Sequence, residues 1–337
     1  MAVTIRDVAR EARVSVASVS RALNGHVNVT AETRARIQAI AAQLRYVPHG
    51  AARSLITRRT QTIGALLPEL YGEFFSELIR GIDLAARARG LHLLVSSSHG
   101  DASEAASALR AMQGRVDGLL ILSPHVDAAF LRANLADTTP AVLLNSSVQP
   151  GACAVLNADN FGGARALVRH LLAIGYRDIA LISGPDANFD AQQREQGYRA
   201  AMDEAGGAAA LFVVRGDFTE HSGYRAGKEL LARAKLPDAV FAANDMMALG
   251  CLRAFADAGK SVPRDVAVAG FDDIPITRYI EPKLTTVHVP IAELGRHALN
   301  RLVGAIERPE ASGAVAETLD CQVVVRASCG ATIRLQK

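Results

Sequence analysis

The 337-residue chain contains no tryptophan, only four cysteines, and no uninterrupted apolar run of the roughly 20 residues that a membrane-spanning helix requires. A membrane partner is therefore not expected. Cys153, Cys251, Cys321 and Cys329 form no CxxC pair and no cluster with histidine, which argues against both a zinc site and a disulfide framework. Free thiols fit a reducing cytoplasm. The first residues, MAVTIRDVAREARVS, carry charges where a secretory signal needs an apolar stretch, so export is not expected. No HExxH, GxSxG, GxGxxG or P-loop spacing occurs. Metal, covalent and dinucleotide chemistry thus lack their sequence signatures, and we expect no enzyme, no cofactor and no metal. Gly162-Gly163 stands without a phosphate-loop pattern and reads as close helix–sheet packing.

What the chain does have is an uneven charge distribution. Its net charge of +3 divides into a basic head and an acidic remainder. Residues 1–60 hold ten arginines, three acids and no lysine, so the head carries 10 − 3 = +7 and the rest 3 − 7 = −4. A polyanion partner for the head alone follows naturally, although a solvated charged surface would look the same by charge count.

The head also carries three short helical patterns. Ile5, Val8, Ala9 and Ala12 form one apolar stripe, with Thr4 and Asp7 placed for a capping box. Ser15 is positioned to cap a second helix that turns Val16, Val19 and Leu23 inward, with Val16 at the stripe's edge. Asn24-Gly25 ends it. Thr30 caps a third, with Ile37, Ile40, Ala41 and Leu44 inward. Short helix, tight turn, short helix and a supporting third helix make a helix-turn-helix pattern. Val47-Pro48 then breaks the chain. Residues 49–59 form an Ala/Arg linker too short to be a stable helix alone.

From Gln61 onward the texture changes. Buried-strand runs at 63–68, 91–96, 118–123 and 141–145 are followed by a second set at 179–183, 211–215, 239–244 and 266–271. Helical patterns of about a dozen residues separate them. Alternation of this kind predicts βαβ units and parallel sheets, and two successive series predict two similar lobes. Ligands of such sheets sit beyond the carboxyl ends of the strands.

TIRDVAREARVSVASVSRALNG (4–25), VTAETRARIQAIAAQLRYVP (29–48) and AARSL (51–55) resemble the DNA-binding head of the LacI/GalR family of bacterial regulators. The likeness continues through VDGLLIL (116–122), GYRDIALISGP (175–185), REQGYRAAM (194–202), ANDMMALG (243–250), VAVAGFDDI (266–274) and EPKLTTV (281–287). One departure is Arg13, at a helix-turn-helix turn position where glycine is common. A positive φ there would be mildly strained. The resemblance implies an all-α helix-turn-helix head joined to an α/β body. That body would have two doubly wound parallel-sheet lobes resembling periplasmic sugar-binding proteins. The expected boundaries are a DNA-binding domain at 1–47, a hinge at 48–61 and an effector-binding and dimerisation domain at 62–337. Within the last, one lobe takes about 62–160 and 290–320, and the other about 161–289 and 321–334.

By this resemblance Val16, Ala17 and Arg21 read bases from the second helix. Small apolar groups suit thymine methyls, and arginine suits guanine. Arg21 on a phosphate and Val16 in the core are the competing placements. Ser15, Ser18, Asn24, Thr33 and Tyr46 match phosphate contacts, which fix register without reading sequence, while Asn24 would serve equally as a turn residue. Residues 51–58 would fold into a minor-groove helix, with Ala52, Arg53 and Leu55 at the groove and Leu55 wedging a base step apart. Leu55 packed on the body is the alternative.

For the body the resemblance gives Phe75, Asn145, Arg194, Phe218, Asn244 and Asp272 as effector-binding candidates. Phe74, Asn188, Phe189 and Asp190 stand behind them. Aromatic faces with charged or amide groups suit a carbohydrate. Each has a structural alternative. Phe75 would fit a core, Arg194 could pair with Glu195 or Glu204 on a helix surface, and Asp272 competes with Asp273. The expected partners are a palindromic double-stranded operator, a small effector and a second copy of the chain. After 322–326 only eleven residues remain, too few for a heptad coil, so a dimer is expected rather than a tetramer. The expected function is a cytoplasmic transcriptional regulator, a repressor controlled by a sugar. A nucleobase or nucleoside co-repressor is the runner-up. A solute-binding protein or an enzyme on the same body is the reading from another class.

Overall fold

A computed structural model describes residues 3–23, 28–46, 59–123, 126–135, 139–148, 153–206, 211–308 and 315–331. The chain divides into two compact units. One is residues 1–62 with 114–116, and the other is 63–113 with 117–337.

The first unit contains three helices: α1 (Ile5–Glu11), α2 (Val16–Leu23) and α3 (Ala31–Gln43). Helices this short are marginal alone and depend on a shared apolar core. Here Val8, Ala9, Ala12, Val19, Ala22, Ile37 and Ala41 are buried together. Burying a side chain such as Val8 or Ile37 contributes roughly 1.5–3 kcal/mol. Asp7 Oδ2 accepts from the Thr4 backbone N–H at 2.9 Å and from its hydroxyl at 2.7 Å, tying down the start of α1. Ser15 Oγ accepts from Ser18 N–H at 3.1 Å, and Thr30 Oγ1 from Thr33 N–H at 3.3 Å, capping α2 and α3. Arg13 in the turn has φ 54°, the left-handed conformation anticipated for that position. The inward face of α2 differs from the expected one. Val16 is 41% exposed, and Ala22 takes the buried place beside Val19. Val19 and Ala22 are one helical turn apart, whereas Val16 stands in the first turn, where the chain has just left the core.

The second unit opens with β1 (Thr62–Leu67), α4 (Glu73–Arg87), β2 (His92–Ser97), α5 (Ala102–Met112), β3 (Gly118–Ile121), α6 (Ala128–Asn134), β4 (Ala141–Leu144) and β5 (Ala154–Ala158). A second series follows: α7 (Asn160–Ala173), β6 (Ile179–Ser183), α8 (Phe189–Glu204), β7 (Phe212–Arg215), α9 (Glu220–Leu231), β8 (Ala239–Ala242), α10 (Asp245–Asp257) and β9 (Ala267–Ala269). The chain ends with β10 (Thr286–His288), α11 (Ile291–Glu307), β11 (Ala316–Leu319) and β12 (Gln322–Val324). The first sheet has the order β11-β5-β4-β3-β1-β2, and the second β7-β6-β8-β9. The pairings β1/β3, β3/β4, β4/β5, β5/β11, β6/β7, β6/β8 and β8/β9 are all parallel. Parallel central strands are covered on both faces and read as continuous apolar runs. Accordingly β3, β4, β6 and β8 are buried at every position.

The chain crosses between lobes three times. It leaves the first sheet after β5 and returns through α11 to place β11 beside β5. It then ends in β12, antiparallel to β10. α11 packs on α4 and over β3, β4 and β5. In the second lobe α9 and α10 approach closely enough that a Cβ at Gly223 or Gly250 would overlap the facing helix backbone. This wound topology aims the carboxyl ends of β1, β2 and β3 from one lobe, and of β6, β7, β8 and β9 from the other, at one cleft.

Candidate functional site

The cleft holds a cavity of about 440 Å³. Its lining comes from the loops after the strands just named: Pro68, Glu69, Tyr71 and Gly72 after β1, His99 and Gly100 after β2, and Leu122 after β3. The other wall contributes Pro185, Ala187 and Asn188 after β6, Asp217–Thr219 after β7, Asn244 after β8, and Asp272 with Ile274 after β9. Strand carboxyl ends are where a parallel sheet frees its chain to build a pocket. Left-handed backbone concentrates at the same place. His99 (φ 47°), Phe218 (φ 71°) and Asp272 (φ 113°) all depart from the conformations side chains prefer. Such strain persists where surrounding packing enforces it, commonly at binding sites.

Five of the six expected effector residues, Phe75, Arg194, Phe218, Asn244 and Asp272, line this cavity. Phe75 lies in the first turn of α4 with Phe74 at its edge, ring centroids 5.5 Å apart and planes at 85°. Phe218 covers Gly184, whose missing side chain leaves room for the ring.

Arg194 is buried and tied into the wall. Its Nε donates to Asn160 Oδ1 at 2.8 Å, and Nη1 to the Ala243 carbonyl at 2.5 Å. Its guanidinium lies over the Phe271 ring, 4.0 Å from the centroid. Nη2 stands 3.0 Å from Asp272 Oδ1. That contact is a buried ion pair, and it pulls the Asp272 carboxyl down against the effect of burial. Arg194 does not pair on a helix surface. Glu195 instead binds Arg199 and Arg215, and Glu204 binds Arg165 and Arg169.

Asn244 caps α10. Its Oδ1 accepts from Met247 N–H at 2.9 Å, and its Nδ2 donates to the Phe218 carbonyl at 2.9 Å, leaving one amide hydrogen. Asp272 and Asp273 separate cleanly. Asp272 faces the cavity. Asp273 turns to Arg326 (2.5 Å), Arg278 (3.1 Å) and His288 (3.1 Å). Burial opposes ionisation of Asp273, but the hydrogen bond and charge of Arg326, with Arg278, hold its pKa below the usual value.

Asn145 is not in the cavity lining. It sits behind the wall, donating from Nδ2 to Asp190 Oδ2 at 2.9 Å and accepting from Ala158 N–H at 3.2 Å. Asp190, which does line the cavity, takes a second amide donor from Asn160 at 2.9 Å. Burial raises the Asp190 pKa despite the charge of Arg194 and these two amides. Burial likewise pushes Asp272 up to about 6, against the pull of Arg194 and with a further push from Asp190. Behind them Asp245 is raised well above its usual value, first by burial and then by repulsion from Asp272. Sequence reasoning ranked Asp190 below Asn145. Its position four residues before Arg194, on the same face of α8, is the signal that could have promoted it. Tyr71, whose hydroxyl donates to Glu220, and Glu73, which accepts from Ile276 N–H at 3.2 Å, join the two lobes at the cavity mouth; neither was anticipated.

In the head unit Val16, Ala17 and Arg21 are all exposed on one side of α2. Ser15 and Ser18 hydroxyls are 2.9 Å apart. Thr33 is half-buried in the first turn of α3, and Tyr46 packs at the edge of the head core. Asn24, Ala52, Arg53 and Leu55 lie outside the described residues. Among the described residues no cluster of three metal-ligating side chains occurs, and no helix is long and apolar enough to cross a membrane.

Comparison with known proteins agrees with both units. Residues 4–49 match the model for bacterial regulatory proteins of the lacI family, and residues 168–329 match a periplasmic binding protein-like domain. The ribose operon repressor of Escherichia coli (strain K12) is 36% identical over 310 residues, 91% of this chain and 94% of that protein. A crystal structure of the lac repressor dimer bound to operator and the anti-inducer ONPF superimposes with a TM-score of 0.87 at 28% identity, covering 98% of this chain and 99% of that one. A LacI family transcriptional regulator from Enterococcus faecium with bound ribose gives a TM-score of 0.73 at 30% identity, over 79% of this chain and 98% of that one. The chain belongs to the lacI family of bacterial regulatory proteins, and is a DNA-binding transcriptional regulator rather than an enzyme.

Proposed function

We propose that this protein is a cytoplasmic, dimeric repressor of a palindromic operator, released from DNA when a sugar binds between the lobes of its body. The observation that carries the reading is the cavity itself. Phe75 and Phe218 offer apolar faces from opposite lobes, and Arg194, Asn244 and Asp272 bring polar groups to the same wall. Sugars present both a C–H face and hydroxyl donors, so the two features suit one ligand. Arg194, Asn244 and Asp272 are the proposed polar contacts. Asn145 acts through Asp190 rather than by touching ligand.

In the head, Val16, Ala17 and Arg21 are the proposed base readers, with Ser15, Ser18, Asn24, Thr33 and Tyr46 on phosphates. Exposure of the first three on a capped, rigid helix supports that assignment. The minor-groove role of Ala52, Arg53 and Leu55 rests on the family resemblance alone. Selection of random duplexes on full-length protein is expected to recover a palindrome. Recovery of sequences without common bases would overturn the regulator reading. A nucleoside effector is the second reading, favoured by the three phenylalanines Phe74, Phe75 and Phe218 along one cavity, which would stack a base as readily as a sugar.

A further inference from the structure

The charge inventory of the cavity restricts its ligand further, on the premise that the cleft binds the effector. Among the described lining residues, Glu69, Glu73, Asp190, Asp217 and Asp272 supply five carboxyl groups. Arg194 is their one guanidinium, and His99 the one imidazole. Arg194 is already ion-paired with Asp272, so its charge is shared rather than free. Its Nε and Nη1 donate to Asn160 and the Ala243 carbonyl, Nη2 faces Asp272, and a ring face covers the guanidinium plane. Asp190 is met by two amides and by no cation within ion-pair distance. Asp217 accepts from the Thr219 hydroxyl and backbone at its own turn. The wall is therefore richer in carboxyl groups than in cations, and its one guanidinium is already charge-paired.

From this arrangement we propose that the cleft selects an uncharged polyhydroxylated effector and rejects its phosphorylated or carboxylated counterpart, with Asp190 and Glu73 as specificity-determining residues. A hydroxyl can donate to carboxyl groups such as these. A phosphate or carboxylate only accepts, and brings a second negative charge beside a first. A bound anion needs cations to offset these charges, and the described lining offers only the shared Arg194 and His99.

Calorimetric titration of full-length protein with matched pairs tests the proposal: ribose and ribose 5-phosphate, glucose and glucose 6-phosphate, galactose and galacturonate, adenosine and AMP, uridine and UMP. The uncharged member is expected to bind at least 100-fold more tightly than the anion in whichever pair binds. Asp190→Asn and, separately, Glu73→Gln are expected to shrink that ratio. Glu73→Gln removes a charge at the rim and keeps an oxygen for Ile276 N–H, which guards against a folding defect in the first variant. An anion that binds as tightly as its uncharged partner overturns the proposal, as does a ratio that neither variant changes. Binding confined to a nucleoside over its nucleotide keeps the charge rule and removes the sugar reading. Binding of no member of any pair overturns both.

Discussion

Asn145 Nδ2 donates to Asp190 Oδ2 at 2.9 Å, joining the end of β4 in the first lobe to the first turn of α8 in the second. An ionised carboxylate only accepts, so the amide nitrogen must face it. The other Asp190 oxygen takes the Asn160 amide, and Asp190 also forms part of the cavity wall. Cavity wall and lobe contact thus meet on one side chain.

Asn145→Ala removes one of the two donors to this carboxylate. A hydrogen bond to a charged group contributes about 1.5–3 kcal/mol. Denaturant unfolding is expected to show a loss of that size, accompanied by weaker effector binding. Unchanged values in both would mean that the bond does not form in solution.

Asp272 carries a pH signature. Its carboxyl is pushed from 3.8 up to about 6 by burial. Between those values the folded state holds a proton that the unfolded state has lost, so this group's stabilising contribution is complete below the lower value and disappears as pH rises through the upper. Asp272→Asn has no such proton. The stability of the variant relative to the parent is expected to rise between about pH 4 and 7. A difference that stays flat with pH would show that Asp272 titrates normally.

Gly184→Ala tests the aromatic wall without touching a polar group. A Cβ there overlaps the Phe218 ring, which must swing into the cavity. Effector affinity is expected to fall about 10-fold or more, while operator binding by the ligand-free protein is retained. Full effector affinity in this variant would remove Phe218 from the binding surface.

Arg21→Ala addresses the head. Loss of a bidentate guanine contact is expected to cost roughly 1–3 kcal/mol and to relax preference at one base position in each half-site. A uniform loss across all sequences, with a shallower salt dependence, would instead place Arg21 on phosphate.

The sequence made the central strands easy to read and the edges hard. Continuous runs such as IALIS at 179–183 and AVLLN at 141–145 mark strands buried on both faces. β11, with Ala316 and Thr318 exposed and Glu317 half-buried, carries no such run, because an edge strand has one side to solvent. β5, its neighbour, was missed for a related reason: AVLNA mixes a half-buried asparagine into the run. Cavity residues were legible where a strand run ends in a polar or aromatic side chain, as at Asn244, Phe218 and Asp272. Asn145 fits that rule too but points behind the wall, since its left-handed backbone (φ 45°) turns it toward Asp190. Cross-lobe contacts such as Tyr71 with Glu220 span 149 positions in sequence and leave no local pattern. Val16, at the edge of the apolar stripe and also a base-reading candidate, is exposed, because helical periodicity does not say where the first turn leaves the core.

The most direct test of effector-controlled repression is fluorescence anisotropy of full-length protein on a palindromic duplex from its own upstream region. The uncharged sugar found by paired titration would be added at fixed salt, because protein–DNA affinity falls steeply with ionic strength. Release of the duplex as the cleft fills is the expected result. Unchanged or tighter DNA binding at a sugar concentration that saturates the cleft would contradict it.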